Sequence, residues 1–211
     1  MVSARAKNLR EGAKGRGPLP PPSNLLPSLI PGRAALVWGE PFRSLAAAAA
    51  AWGVARGARV LVVDAANAFD PYRLVREARG RGIARTVVLS RVRVARAFTS
   101  HQLVRLLKEE LPGELESRSL VLVLGPVRLF YDEQIPLAER RRLFMNMVDI
   151  LATYKARAPL LLLQPPLPRG ATNRRFGLLL APLMDYLVRV REDKREKGNS
   201  GRIENLHLRG T

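Results

Sequence analysis

The stretch Leu61-Val62-Val63-Asp64-Ala65-Ala66-Asn67-Ala68-Phe69-Asp70-Pro71 decides how the chain is read. Its apolar start does not alternate with polar residues, so it predicts a strand buried on both faces of a sheet. The Asp64–Asp70 segment that follows is rich in turn formers, and Asp70-Pro71 marks a helix start: the aspartate caps and the proline occupies the first turn. A strand over Arg59–Val63 therefore feeds a helix over Pro71–Arg79, with Leu74, Val75 and Ala78 on one side and its arginines outward, stopping at Gly80.

The same alternation extends in both directions. Further strands are predicted at Ala34–Trp38, Thr86–Leu89, Leu120–Leu124 and Leu160–Leu163, each Val/Leu-rich and bounded by turn residues. Between them lie an alanine-rich helix from Arg43 to Arg56, closed by Gly57, and a helix over Gln102–Leu111. The second is opened by the capping box Thr99-Ser100-His101-Gln102 and closed by Pro112-Gly113. The longest periodic helix is Pro136–Tyr154, with Leu137, Phe144, Met147, Val148, Leu151 and Tyr154 as its core stripe and Arg140, Arg141 and Arg142 mostly off it. Trp38 and Trp52 read as core residues. Asp185–Arg191 and Arg202–Leu208 form a terminal antiparallel hairpin. This is the pattern of an α/β domain, a mostly parallel sheet with helices on both faces.

Composition narrows the function. The chain has 211 residues, enough for one domain with a basic extension, and a formal net charge of +18. Of its 36 basic residues 30 are arginine, and they outnumber the acids two to one, which base composition of a genome does not explain. Arginine's fork suits phosphate oxygens, so a polyanionic partner is expected. There is no cysteine and only His101 and His207, which argues against disulfides and thiolate or histidine metal sites. No apolar run approaches the roughly 20 residues of a membrane span, and no signal peptide is evident, so a soluble, cytoplasmic protein is expected. Residues 1–22, with five basic residues against one acid and the run Pro20-Pro21-Pro22, read as a mobile basic arm preceding a core domain over 23–211.

Four blocks carry a family resemblance: Asn24–Arg33, the Asp64–Pro71 turn, Val94-Ala95-Arg96-Ala97-Phe98-Thr99-Ser100-His101-Gln102-Leu103, and Leu120–Phe130. In this order they resemble the core of the RecA/RadA recombinase superfamily, over about residues 24–208, and imply a RecA-like sheet closed by the terminal hairpin. The resemblance also shows what is missing. The family's glycine-rich phosphate loop is replaced by Gly39-Glu40-Pro41-Phe42-Arg43-Ser44-Leu45, about three residues short and without lysine. The catalytic glutamate position holds Ala66, and the strand-end aspartate that orients magnesium in the family is Leu124. The expectation is a divergent paralogue without ATP hydrolysis and with no cofactor, retaining at most a degenerate, weak nucleotide site at Gly39, Arg43 and Ser44. Asp64 and Asp70 are read as turn and cap residues.

Nucleic-acid contacts are expected from Arg5, Lys7, Arg10, Lys14 and Arg16 of the arm, and from Arg169, Arg174 and Arg175 in the loop after the Leu160 strand, which the resemblance places at a DNA-binding position. Lys194, Arg195 and Lys197, with Arg202, form a basic hairpin tip. The loop at Tyr131–Ile135, the family's other DNA-binding position, is acidic here, and Asp132-Glu133 reads as a solvated turn. His101 reads as a surface group. The reading is a non-catalytic RecA-like paralogue that binds DNA and a RecA/RadA-type recombinase or another paralogue. Its alternatives are a nucleotide-gated ATPase regulator using Arg43 and Ser44, and a basic RNA-associated protein reusing the fold.

Overall fold

The structure, a computed structural model, describes residues 29–39, 42–167, 175–192 and 201–208. The strands are β1 (Ala34–Gly39), β2 (Arg59–Asp64), β3 (Val92–Arg96), β4 (Ser119–Leu124), β5 (Leu160–Gln164), β6 (Tyr186–Glu192) and β7 (Gly201–Leu208). They form one sheet in the order β3-β2-β4-β5-β1-β6-β7. Neighbours from β3 to β6 are parallel, and β7 closes the sheet antiparallel to β6. This is a RecA-like α/β architecture with the expected terminal hairpin.

The period-two geometry of each strand divides the core into two layers. Val60 and Val62 of β2, Leu120, Leu122 and Leu124 of β4, and Leu161 and Leu163 of β5 face α1 (Phe42–Ala55), α2 (Pro71–Arg79) and α3 (Arg85–Arg91). Leu61, Val63, Val121, Val123, Leu160 and Leu162 face the other way. There they meet α4, which runs through Ser100–Arg105, Leu106–Glu110 and Leu111–Glu114, together with α5 (Leu137–Arg157) and α6 (Phe176–Leu180). Both faces of β4 and β5 are covered, which is why those strands read as unbroken apolar runs. Alanines dominate α1 because it lies close on the sheet; Ala46, Ala47, Ala49, Ala50 and Ala51 are all buried.

Four expectations need correction. The Thr86–Leu89 segment is part of α3, not a strand, and of its apolar residues only Val88 is buried while Val87 and Leu89 are exposed. The strand comes next, at β3. As an edge strand covered on one face it alternates Val with Arg, and that pattern is overshadowed by the apolar run before it. Leu137 is not a core residue; it is exposed in the first turn of α5, and Arg140 is buried three residues on. Trp38 and Trp52 are half-buried at the margins of the two layers rather than inside them.

The fourth correction concerns α4, which runs past Pro112 to Glu114. A proline inside a helix removes a donor, and here the chain adjusts beforehand by widening to a π-helical turn over Leu106–Glu110, where the Leu111 amide reaches the Leu106 carbonyl. In that register the next carbonyl, Leu107, would need the N–H that Pro112 lacks. The Tyr154 hydroxyl from α5 donates to it instead. Burial pushes the Tyr154 phenol up, with the nearby Arg157 opposing it, so the hydroxyl keeps its proton as donor. Tyr154→Phe should destabilise the fold by about 1–3 kcal/mol in denaturant melts, the cost of a buried carbonyl left unserved.

A second tie locks the start of the sheet to the end of α5. Asp185 accepts from the Ala34 amide at 2.7 Å, Arg33 Nη1 at 3.0 Å and Lys155 Nζ at 2.8 Å. The Lys155 ammonium also donates to the Leu183 carbonyl, and the Lys155 carbonyl accepts from the Gly32 amide. Burial alone would raise the Asp185 carboxyl, but the ammonium, the amide and the guanidinium outweigh it and hold it below the ordinary carboxylate range. A carboxyl lowered in the native state stabilises fully above its unfolded value, and that contribution is lost as pH falls through the lower native value. Thermal melts should therefore show Asp185→Asn less stable than the parent by about 1–3 kcal/mol at neutral pH. The gap should narrow below about pH 4.

Candidate functional site

In an open parallel sheet, ligands meet the carboxyl ends of the strands where the strand order reverses. Here that rim is formed by the ends of β1, β2, β4 and β5. The β2 end is built around Asp64, which is fully buried. Its carboxylate accepts from the Ala66 amide at 3.2 Å, from Ala68 at 2.9 and 3.1 Å and from Phe69 at 2.9 Å, with Arg96 Nε at 3.5 Å. Asp70 then caps α2, accepting from the Tyr72 and Arg73 amides. Both aspartates fill the structural roles their positions in the sequence indicate, turn and cap.

The two positions at which the family resemblance implies carboxylates hold buried apolar groups. Ala66 and Leu124 belong to one apolar cluster under α1 and α2. Gly125, at φ +68, lies so close that a Cβ added there would sit 2.8 Å from the Ala66 Cβ. The rim is sealed further by Gln164, whose buried side chain accepts from the Val127 amide and donates to the Pro165 carbonyl.

The candidate phosphate loop is equally short of room. β1 ends at Gly39 and α1 begins at Phe42, leaving two residues between them. Gly39 has φ +119, and a Cβ there would fall 1.9 Å from the Val190 carbonyl oxygen of β6. Close packing of backbone on backbone thus accounts for this glycine without any phosphate. Arg43 is exposed, with its guanidinium 6.0 Å from the Phe42 ring centroid. The Ser44 hydroxyl accepts from Arg73 Nη1.

Three arginines absent from the sequence-based site gather around this rim. Arg73 holds Ser44, Arg96 reaches Asp64 and the Phe69 carbonyl, and Arg128 donates to the Ala66 carbonyl. In sequence they belong to separate elements, and only the parallel pairing of β3, β2 and β4 brings those elements together.

Of the residues expected to contact nucleic acid, Arg175 is described. It is exposed at the start of α6 and shares a groove of about 810 Å³ with Arg141 and Arg142, floored by Leu137, Met145 and Phe176. Phe176 is anchored below by Phe144 at 4.9 Å, which itself meets Phe130 edge-on at 4.9 Å. Arg140 points inward, donating to the Phe130 carbonyl at 3.4 Å, so the triple-arginine run splits into one buried and two solvated members. Arg5, Lys7, Arg10, Lys14, Arg16, Arg169, Arg174, Lys194, Arg195 and Lys197 lie outside the described residues, as does the arm. Arg202 lies in β7, paired with Arg191 of β6. His101 is exposed and sits 3.0 Å from Glu139. Among the described residues no helix is long and apolar enough to cross a membrane.

The rim depends on Asp64 most directly. Asp64→Ala strands three buried amides and should lower stability by more than about 3 kcal/mol. Asp64→Asn, which keeps one acceptor oxygen, should lose less; chemical denaturation of the two variants reads the difference.

Comparison with known proteins adds an independent line. No curated protein matches the chain. The family model described as Rad51 matches residues 48–153, from within α1, past the Gly39–Ser44 segment, into α5. With half of the chain matched and a RecA-like sheet around it, the protein belongs to the Rad51 family of RecA/RadA-type recombinases.

Proposed function

We propose that the chain is a non-catalytic member of this family, a scaffold for recombination or repair that holds DNA together with a RecA/RadA-type recombinase or another paralogue. The observation that carries the reading is the two-residue passage from Gly39 to Phe42. A phosphate cradle needs a run of backbone amides curving round the anion, and the ends of this passage are pinned by Val190 and by the burial of Phe42. Ala66 and Leu124 support the same conclusion, since no carboxylate stands at either position to activate water or orient magnesium. Arg43 and Ser44 offer a guanidinium and a hydroxyl, but the hydroxyl is already held by Arg73.

The positive half of the reading rests on charge. A net charge of +18 with arginine predominant favours phosphodiester backbones, and the groove bearing Arg141, Arg142 and Arg175 is a described part of that surface. The mechanism is electrostatic attachment to DNA, with the preserved fold as a docking face for a related subunit.

The test is binding of labelled duplex and single-stranded DNA across a salt series, with and without magnesium-ATP. The expected result is binding that weakens steeply with salt and is indifferent to ATP. ATP turnover should stay at background, and Ala66→Glu should not raise it while lowering the melting temperature. Binding that appears only with magnesium-ATP would overturn the proposal.

A further inference from the structure

Charge is unevenly placed on this molecule. From Pro71 to Phe98 there are eight arginines and one acid, Glu77. The segment directly after it carries Glu109, Glu110, Glu114 and Glu116, all on or just beyond α4 across the sheet. The helical part of this stretch maps to one side of the molecule, the outer surface of α2 and α3, while Arg93 of β3 faces the α4 side, beside Glu110 and Glu114.

Several of these arginines are occupied locally. Arg73 holds Ser44, Arg81 pairs with Glu77 at 2.7 Å, Arg91 donates to the Gly57 carbonyl, and Arg96 reaches Asp64. Arg76, Arg79 and Arg85 are exposed and make no ion pair among the described residues. On α2 the residues facing the core are Leu74 and Ala78. Helical periodicity places Tyr72, Arg76 and Arg79 on the opposite stripe, spanning ~10 Å of axis. Tyr72 is 84% exposed. α3 buries only Val88 and carries Arg85 outward.

Like charges three apart on a helix cost stability, about 0.2–0.5 kcal/mol per pair. A small anion would need donors converging on a point, whereas these guanidiniums are spread over two helices. That arrangement matches an extended polyanion. Among polyanions the duplex is favoured: it carries one charge per ~1.7 Å of axis. Stacking of successive bases from a single strand needs several rings, and α2 and α3 expose one aromatic side chain, Tyr72.

We infer that the outer face of α2 and α3, through Arg76, Arg79 and Arg85, is a docking surface for the backbone of duplex DNA. It lies on the side of the sheet opposite the Arg141–Arg175 groove. The inference rests on the DNA-binding part of the function proposed above and assigns it a surface of its own.

The experiment uses the full chain and a fluorescent duplex titrated across a salt series. Arg76→Ala/Arg79→Ala/Arg85→Ala should weaken binding at least tenfold near about 150 mM salt. It should also flatten the log–log salt slope by about 2 to 3, at ~0.9 for each phosphate no longer neutralised. The corresponding triple lysine variant should keep most of the affinity. Phenylglyoxal modification of the unaltered protein, read by mass spectrometry, should show Arg76, Arg79 and Arg85 protected by duplex, a readout that no folding defect can imitate. An unchanged slope in the alanine variant or unprotected arginines overturns the inference; if Arg169→Ala/Arg174→Ala/Arg175→Ala weakens binding at the same time, the proposed function stands without this surface. Equal protection by single-stranded DNA or structured RNA overturns the assignment to duplex. Failure of the unaltered protein to bind any DNA removes both.

Discussion

The Asp64 carboxylate is the interaction on which the rest of the functional rim depends. A buried charge needs hydrogen bonds to stay buried, and Asp64 gathers the amides of Ala66, Ala68 and Phe69 while approaching the Arg96 guanidinium. Those contacts curl the chain tightly after β2 and aim it into α2. The backbone joins in: the Asp64 carbonyl accepts from the Ala97 amide, and the Ala65 amide donates to Leu124. Three strand ends, β2, β3 and β4, are thereby gathered around one side chain. That gathering holds the turn and the carboxyl ends of these strands in shape.

Much of this was legible in the sequence because local signals agreed with the fold. β4 and β5 read as unbroken apolar runs because both their faces are covered, and α2 announced itself through Asp70-Pro71. Where the reading failed, a local signal pointed one way and the tertiary context the other. Thr86–Leu89 looks like a strand by composition, yet the sheet needs the alternating edge residues Val92–Arg96, and the more apolar segment is left as an exposed helix. Pro112-Gly113 looks like a stop, but a widened turn and a hydroxyl donated by Tyr154, far along the chain in α5, carry the helix through. No pattern within α4 could reveal that donor.

Gly39, Ala66 and Leu124 stand out in the sequence by their places in the chain, and the structure adds how they pack: backbone on Val190 at the first, buried apolar groups at the other two. The arginines around the rim were not legible, because Arg73, Arg96 and Arg128 acquire their meaning only through strand pairing. The same holds for Arg141 and Arg142, which become neighbours of Arg175 only when α6 seats Phe176 against Phe144 and Phe130.

The two-residue passage between β1 and α1 also limits what substitution can do here. A carboxylate at position 66 or 124 needs only a substitution, whereas a longer loop between Gly39 and Phe42 needs inserted residues. Such an insertion has to fit between two anchored ends, Gly39 against β6 and Phe42 in the core. Under the function proposed above, lengthening that passage, and not substituting residues along it, is the change that would open room for a phosphate.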